Sequence, residues 1–391
     1  MNGPLRADAR FVVATYRFAG VAAAEVRAQA EAFAIGQSVG TWVPLPGLTA
    51  ELMERHGARV RHVTARDGGS VDVEIAFPVL NFQDGGLPML MTTLLGNDPS
   101  TGIAATLVDL ELPADYAARF TGPRVGIAGW RERLGVKGRP LLLNPMKPCT
   151  GLSPEATAAI AAEVARGGVD LVKDDEVLAD ASFSRIAERC RAVRRALDEV
   201  AAEAGRRTGY LTSITDRAGR MREHARAAIE NGADGVMVAA FMVGLDGLQA
   251  VVEEIDGALP VLAHTAGLDL FGGGDGLTVA PEVLVARLTR LTGADAVLVG
   301  SPWARRRTPE PLWRTMAARL RDGWLALAPA FPVVGGGVVA EQLPDIVRLL
   351  GTDVIITAGG SINGHPAGAE AGARAMMAAL ERAVLATGAV A

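Results

Sequence analysis

From residue 140 onward the chain repeats one unit eight times: a short apolar strand, a loop, and an Ala-rich amphipathic helix. The strands read PLLLNPMK, VDLVKDD, TGYLTSI, DGVMVAAF, PVLAHTAG, DAVLVGSP, FPVVGGG and DVIITAGG, and segments such as PEATAAIAAEVARGG and EVLVARLTRL alternate with them. Strands that are apolar on both faces need cover on both, and a helix between successive strands is the crossover that parallel pairing requires. Eight such units over the ~250 residues usual for the fold predict a closed (β/α)8 TIM barrel over residues 126–391.

Residues 1–125 have another texture. FVVATYRF, VRHVTARD, SVDVEIAFPVL and IAATLVDLELP read as alternating or β-branched strands around one helical stretch, VAAAEVRAQAEAFAIG, which predicts a ferredoxin-like α+β domain. With 39 basic against 44 acidic residues and no long basic run, nucleic acid is not an expected partner. The two cysteines, Cys149 and Cys190, make no disulfide framework, and the start MNGPLRADARFVV lacks the marks of a signal peptide. No apolar stretch reaches the ~20 residues of a membrane span. A cytoplasmic protein is expected.

Barrels of this kind place their chemistry at the C-terminal strand ends and the following loops. The second strand ends in GGVDLVKDDEV, and its lysine is one of only three in the chain, with Lys137 and Lys147. Period-2 alternation puts Lys173 and Asp175 on one face, with Glu176 following at the turn. Two carboxylates there suit Mg²⁺, an oxygen-seeking ion that keeps several waters. An ammonium cannot ligate a cation, so two readings of Lys173 stay open: ion pairing with its neighbours, or addition of CO₂ to give an anionic carbamate. Lys147 ends the first strand and His264 the fifth. Glycines 335–337 and 359–360 end the seventh and eighth, where bare backbone N–H groups can approach a phosphate.

KPCTGLS at 147–153, GGVDLVKDDE at 167–176, GGSINGHPAGAEAGARA at 359–375 and GQSVGTW at 36–42 together resemble the large-subunit family of ribulose bisphosphate carboxylase (RuBisCO). The resemblance covers both domains in order. It implies that Lys173 is carbamylated by CO₂ and binds Mg²⁺ with Asp175 and Glu176, and that Lys147 moves a proton on the enediol side of the reaction. It matches Asn97 to an asparagine near the metal and His264 to a barrel histidine. It also implies a homodimer in which the N-terminal domain of one copy covers the barrel mouth of the other, so that active sites are shared.

Departures from the family pattern point to its RuBisCO-like branch (form IV). The loop after the sixth strand, GSPWARRRTPE, has no lysine to hold CO₂, and the glutamate that supports that lysine falls at Gly36. The second lysine of the family's KPK falls at Cys149, and the arginine and histidine of the second phosphate fall at Thr265 and Leu298. Thr41, Trp42, Gly337, Gly359 and Gly360 keep the first phosphate site. An unpaired buried dianion is costly. The pattern therefore implies Mg²⁺-dependent enolisation, of isomerase or decarboxylase type, on a ketose or keto acid phosphorylated at one end, without CO₂ fixation. Two alternatives stand beside it: a methionine-salvage diketo-sugar-phosphate enolase, whose base lysine near Asn97 is absent here, and a non-catalytic sugar-phosphate sensor or structural protein. The roles of Trp303, Arg305–Arg307 and the loop LDLFGGGDG at 268–276 stay open.

Overall fold

The computed structural model describes residues 10–22, 24–41, 43, 45–96, 102–271 and 276–388. The chain forms two compact units, residues 1–120 with 268–284, and residues 121–267 with 285–391.

The first unit is a sheet with helices. Its strands are β1 (Phe11–Phe18), β2 (Arg59–Ala65), β3 (Val71–Pro78) and β4 (Ala105–Glu111), with the helices Val26–Ser38 and Gly86–Leu95 between them. The order β4-β1-β3-β2, antiparallel throughout, is that of a ferredoxin-like fold. Alternation in β1 buries Val12, Ala14, Tyr16 and Phe18. Tyr16 and Phe18 meet Phe33 of the first helix edge-on, at 4.8 and 5.4 Å between ring centroids, and Tyr16 Oη donates to Leu94 O at 2.9 Å. A fifth strand, β10 (Leu277–Val279), lies parallel beside β4. Nothing in the sequence marks this strand, because three residues behind a glycine-rich loop carry no periodicity. The helix Ala50–His56 was also missed, although Thr49 caps it by accepting from Leu52 N.

In the second unit, eight described strands close a parallel barrel: β5 (Leu141–Pro145), β6 (Leu171–Lys173), β7 (Gly209–Ser213), β8 (Gly235–Ala239), β9 (Val261–His264), β11 (Ala296–Gly300), β12 (Phe331–Val334) and β13 (Ile355–Thr357). Its interior is filled. Leu141, Leu143, Leu171, Leu211, Met237, Leu262, Phe331, Val333 and Ile355 pack with Ile127 and Trp130 of the helix Gly126–Leu134. Buried carboxylates pin the N-terminal strand ends. Asp295 accepts from the backbone N–H groups of Val125, Gly126 and Val261 at 2.7–2.9 Å, and Asp170 accepts from Leu142 N at 2.8 Å and from Arg139. Helices start and stop where the sequence dictates: Ser153 caps Pro154–Arg166, whose first residue is proline, and Gly205 closes Ile186–Ala204 with φ at +68°. With one end held by packing and caps, the opposite end is free to carry chemistry.

Candidate functional site

The register of β5 on β6 sets Pro145 beside Lys173, and Met146 N donates to Lys173 O at 3.0 Å. The two strand ends therefore bring Lys147 and Lys173 to one place. Together with Asp175, Glu176, His264, Gly337, Gly359 and Gly360 they line a single cavity of about 420 Å³, whose apolar lining includes Leu262, Leu298 and Val333. Alternation sends Lys173 and Asp175 into this cavity, each only 5% exposed.

Lys147 Nζ donates to Asp175 Oδ2 at 2.5 Å and to Cys149 Sγ at 2.9 Å. Burial works against its charge, but the hydrogen bonds to Asp175 and Cys149 outweigh it and hold the ammonium pKa above the ordinary value. Asp175 responds in kind: burial alone would raise its pKa, and the Lys147 bond brings it below the usual carboxylate range. Lys173 is in the opposite position. Burial pushes its amine below the ordinary lysine value against the pull of Glu176, Asp175 and Asp174. Its Nζ donates to Asp174 O at 2.9 Å and lies 3.6 Å from Glu176 Oε2.

His264 Nε2 lies 3.5 Å from Glu176 Oε2, while Nδ1 accepts from Ala266 N at 3.2 Å. Acceptance at Nδ1 assigns the proton to Nε2. Burial lowers the imidazole pKa to about 4 despite Glu176, so the ring is neutral near pH 7.

The glycine turns follow β12 and β13. A Cβ on Gly335 would lie 2.6 Å from Thr357 Oγ1 and 2.9 Å from Leu298 Cδ1, and Gly336 takes φ +95°. Only glycine fits both positions. Ser361 Oγ donates to Val338 O at 2.9 Å and ties one turn to the other.

Thr41 lies in the first unit, half-buried, its Oγ1 accepting from Val43 N at 3.1 Å. Trp42 and Asn97 lie outside the described residues. Trp303 is half-buried and meets Trp313 edge-on at 5.8 Å, while Arg305–Arg307 are exposed. Of the loop LDLFGGGDG, residues 268–271 form a 3₁₀ turn and 276 is described with the first unit. Among the described residues, no three His, Cys, Asp or Glu side chains group as a metal site. Sequence reasoning did not single out Thr357, Ser361 or the thiol contact of Cys149. A hydroxyl at a barrel-strand end was the available signal for Thr357, and the KPC motif for Cys149.

Residues 2–116 match the model of the ribulose bisphosphate carboxylase large chain, N-terminal domain, and residues 126–305 and 314–390 that of the large chain, catalytic domain. A 2,3-diketo-5-methylthiopentyl-1-phosphate enolase of Geobacillus kaustophilus is 37% identical over 93% of this chain and 90% of its own. Among solved structures, the octameric ribulose-1,5-bisphosphate carboxylase/oxygenase of Pyrococcus horikoshii superposes with a TM-score of 0.88 at 32% identity, over 96% of this chain and 89% of that one. A rubisco-like protein of Alicyclobacillus acidocaldarius does so with a TM-score of 0.85 at 31% identity, over 97% and 98%.

Proposed function

The chain belongs to the ribulose bisphosphate carboxylase large-chain family, and from that premise we propose that it is a non-carboxylating, RuBisCO-like enzyme that enolises a ketose or keto acid carrying one phosphate, as an isomerase or decarboxylase. The observation that carries this reading is the single cavity in which Lys147, Lys173, Asp175 and Glu176 meet two glycine turns, lined also by Leu298, the position at which the family resemblance puts a base for a second phosphate.

The donor set fits a divalent cation on one condition. Two carboxylates are present, and no third joins them among the described residues. The missing anionic oxygen fits Lys173, whose buried amine is biased toward the neutral, nucleophilic form. Addition of CO₂ forms an N–C bond, releases one proton and leaves a carbamate. With Asp175 and Glu176 that carbamate would hold Mg²⁺, which supplies Lewis-acid polarisation of the substrate carbonyl and neutralises the oxyanion charge.

The remaining work falls to the chain itself. Lys147 enters as an ammonium and can deliver a proton from Nζ; it becomes a base only once its bond to Asp175 is given up. Neutral His264 offers Nε2–H toward Glu176 Oε2, 3.5 Å away. Gly337, Gly359 and Gly360 expose backbone N–H groups for the phosphate. Thr41, Trp42 and Asn97 would serve the same site from the N-terminal domain of a second copy in a homodimer, a reading supported by family membership. The loop after β11 carries no lysine, so CO₂ is not a substrate for fixation.

The relative from Geobacillus kaustophilus favours a narrower second reading, 2,3-diketo-5-methylthiopentyl-1-phosphate enolase. Incubation of the Mg²⁺- and bicarbonate-activated protein with that compound, and with a panel of singly phosphorylated ketoses and keto acids, followed by ³¹P NMR, separates the two. Turnover of the diketo compound alone selects the narrower reading. Conversion of none overturns both.

A further inference from the structure

Between Lys173 and Asp175, alternation turns Asp174 away from the cavity into the layer between barrel and helices. Its carboxylate is 1% exposed and heavily bonded. It accepts from Arg189 Nε at 3.0 Å, Tyr210 Oη at 2.8 Å, Thr212 Oγ1 at 2.9 Å and Ser213 N at 3.0 Å. Arg189, at 0% exposure, also donates through Nη1 to Ser184 O at 2.5 Å. The pair thus ties both ends of the loop that begins at Asp174 and ends at Ser184. On its other side, the Asp174 carbonyl oxygen is the acceptor that holds Lys173 Nζ at 2.9 Å.

A wholly desolvated ion pair is a poor source of stability, since well-packed apolar residues often do as well or better. Its value here lies in placement. We infer that Asp174, clamped by Arg189, is a positioning residue that fixes the main-chain carbonyl against which Lys173 Nζ rests, and so presents that amine for CO₂ addition. The inference rests on the proposed carbamate at Lys173.

The test uses the full chain with ¹³C-bicarbonate and Mg²⁺, reading the carbamate carbon by ¹³C NMR; with only three lysines in the chain, the adduct is readily assigned. Three variants are compared with the parent protein: Asp174→Asn, the neutral double variant Asp174→Asn with Arg189→Met, and Tyr210→Phe, which keeps the ion pair and removes one donor. Thermal unfolding is recorded for each. The expected result is a Lys173 carbamate in the parent, and in the folded Asp174 variants a demand for about 10- to 100-fold more bicarbonate to reach the same occupancy, the range seen when groups that orient metal ligands are removed. Tyr210→Phe, which strips Asp174 Oδ1 of its hydroxyl donor, should fall between and unfold at a somewhat lower temperature than the parent. Parent-like occupancy in any folded Asp174 variant, or in Tyr210→Phe should neither Asp174 variant fold, overturns the positioning role alone. Absence of a carbamate in the parent protein overturns the proposed metal centre, and the positioning role with it.

Discussion

Lys147 Nζ sits 2.5 Å from Asp175 Oδ2, an ammonium from the end of β5 against a carboxylate from the end of β6. The carboxylate proposed as a metal ligand is therefore also the partner of the proposed proton carrier. Cation and ammonium repel, so binding of one weakens the hold of the other. Lys147→Met should tighten Mg²⁺ binding, read as a larger Mg²⁺-induced rise in unfolding temperature, while substrate proton exchange falls by about 10²-fold. Weaker Mg²⁺ binding in this variant would show that Lys147 supports the cation rather than competing with it.

Lys173→Ala removes the buried amine whose burial favours the neutral form that adds CO₂. Bicarbonate should then cease to strengthen Mg²⁺ binding in thermal-shift titrations, and turnover should vanish with the fold retained. Full Mg²⁺-dependent activity in Lys173→Ala would remove the carbamate from the account.

How far the sequence could be read depended on periodicity. The barrel strands were legible because runs such as PLLLNPMK and FPVVGGG must be covered on both faces, and KDDE because alternation alone separates Lys173 and Asp175 from Asp174. Strand β10 was not legible, since Leu277–Val279 gains its pairing from β4, more than a hundred and fifty residues earlier. The bond between Lys147 and Asp175 was likewise hidden. It follows from the register of β5 on β6, which no local pattern encodes.

The two cysteines should differ in reactivity. Cys149 is half-buried in contact with Lys147, whereas Cys190 is fully buried and burial pushes its thiol up to about 12. Native protein treated with N-ethylmaleimide near pH 7 should gain one adduct by intact mass, at Cys149. A second adduct at the same rate would mean that the helix Ile186–Ala204 opens readily.

Asp72 is buried in the first unit between Arg17 and Arg66, at 2.8 and 2.6 Å. Burial raises its pKa, but the two arginine hydrogen bonds outweigh burial and bring it below the usual carboxylate range. A depressed folded value means that its stabilisation is present above the unfolded carboxylate pKa and lost as pH falls through the folded one. Both arginines are about half exposed, so screening trims the effect. Asp72→Asn should cost about 1 kcal/mol at neutral pH, with the gap from the parent closing in acid. A gap independent of pH would assign the loss to packing.

Ribulose bisphosphate should give no incorporation of ¹⁴CO₂, because the loop after β11 lacks a lysine and Leu298 lines the cavity in place of a charged group. Labelled 3-phosphoglycerate in proportion to protein would contradict the non-carboxylating assignment.

The cavity is proposed to enolise a carbonyl compound held by a single phosphate. Mg²⁺- and bicarbonate-activated protein is incubated with 2,3-diketo-5-methylthiopentyl-1-phosphate and other singly phosphorylated ketoses in D₂O, and deuterium at the carbon beside the carbonyl is followed by ¹H NMR. Deuterium should enter at least one of them, dependent on Mg²⁺ and absent in Lys173→Ala. Incorporation that persists in Lys173→Ala, or none with any compound while all of them bind, would contradict it.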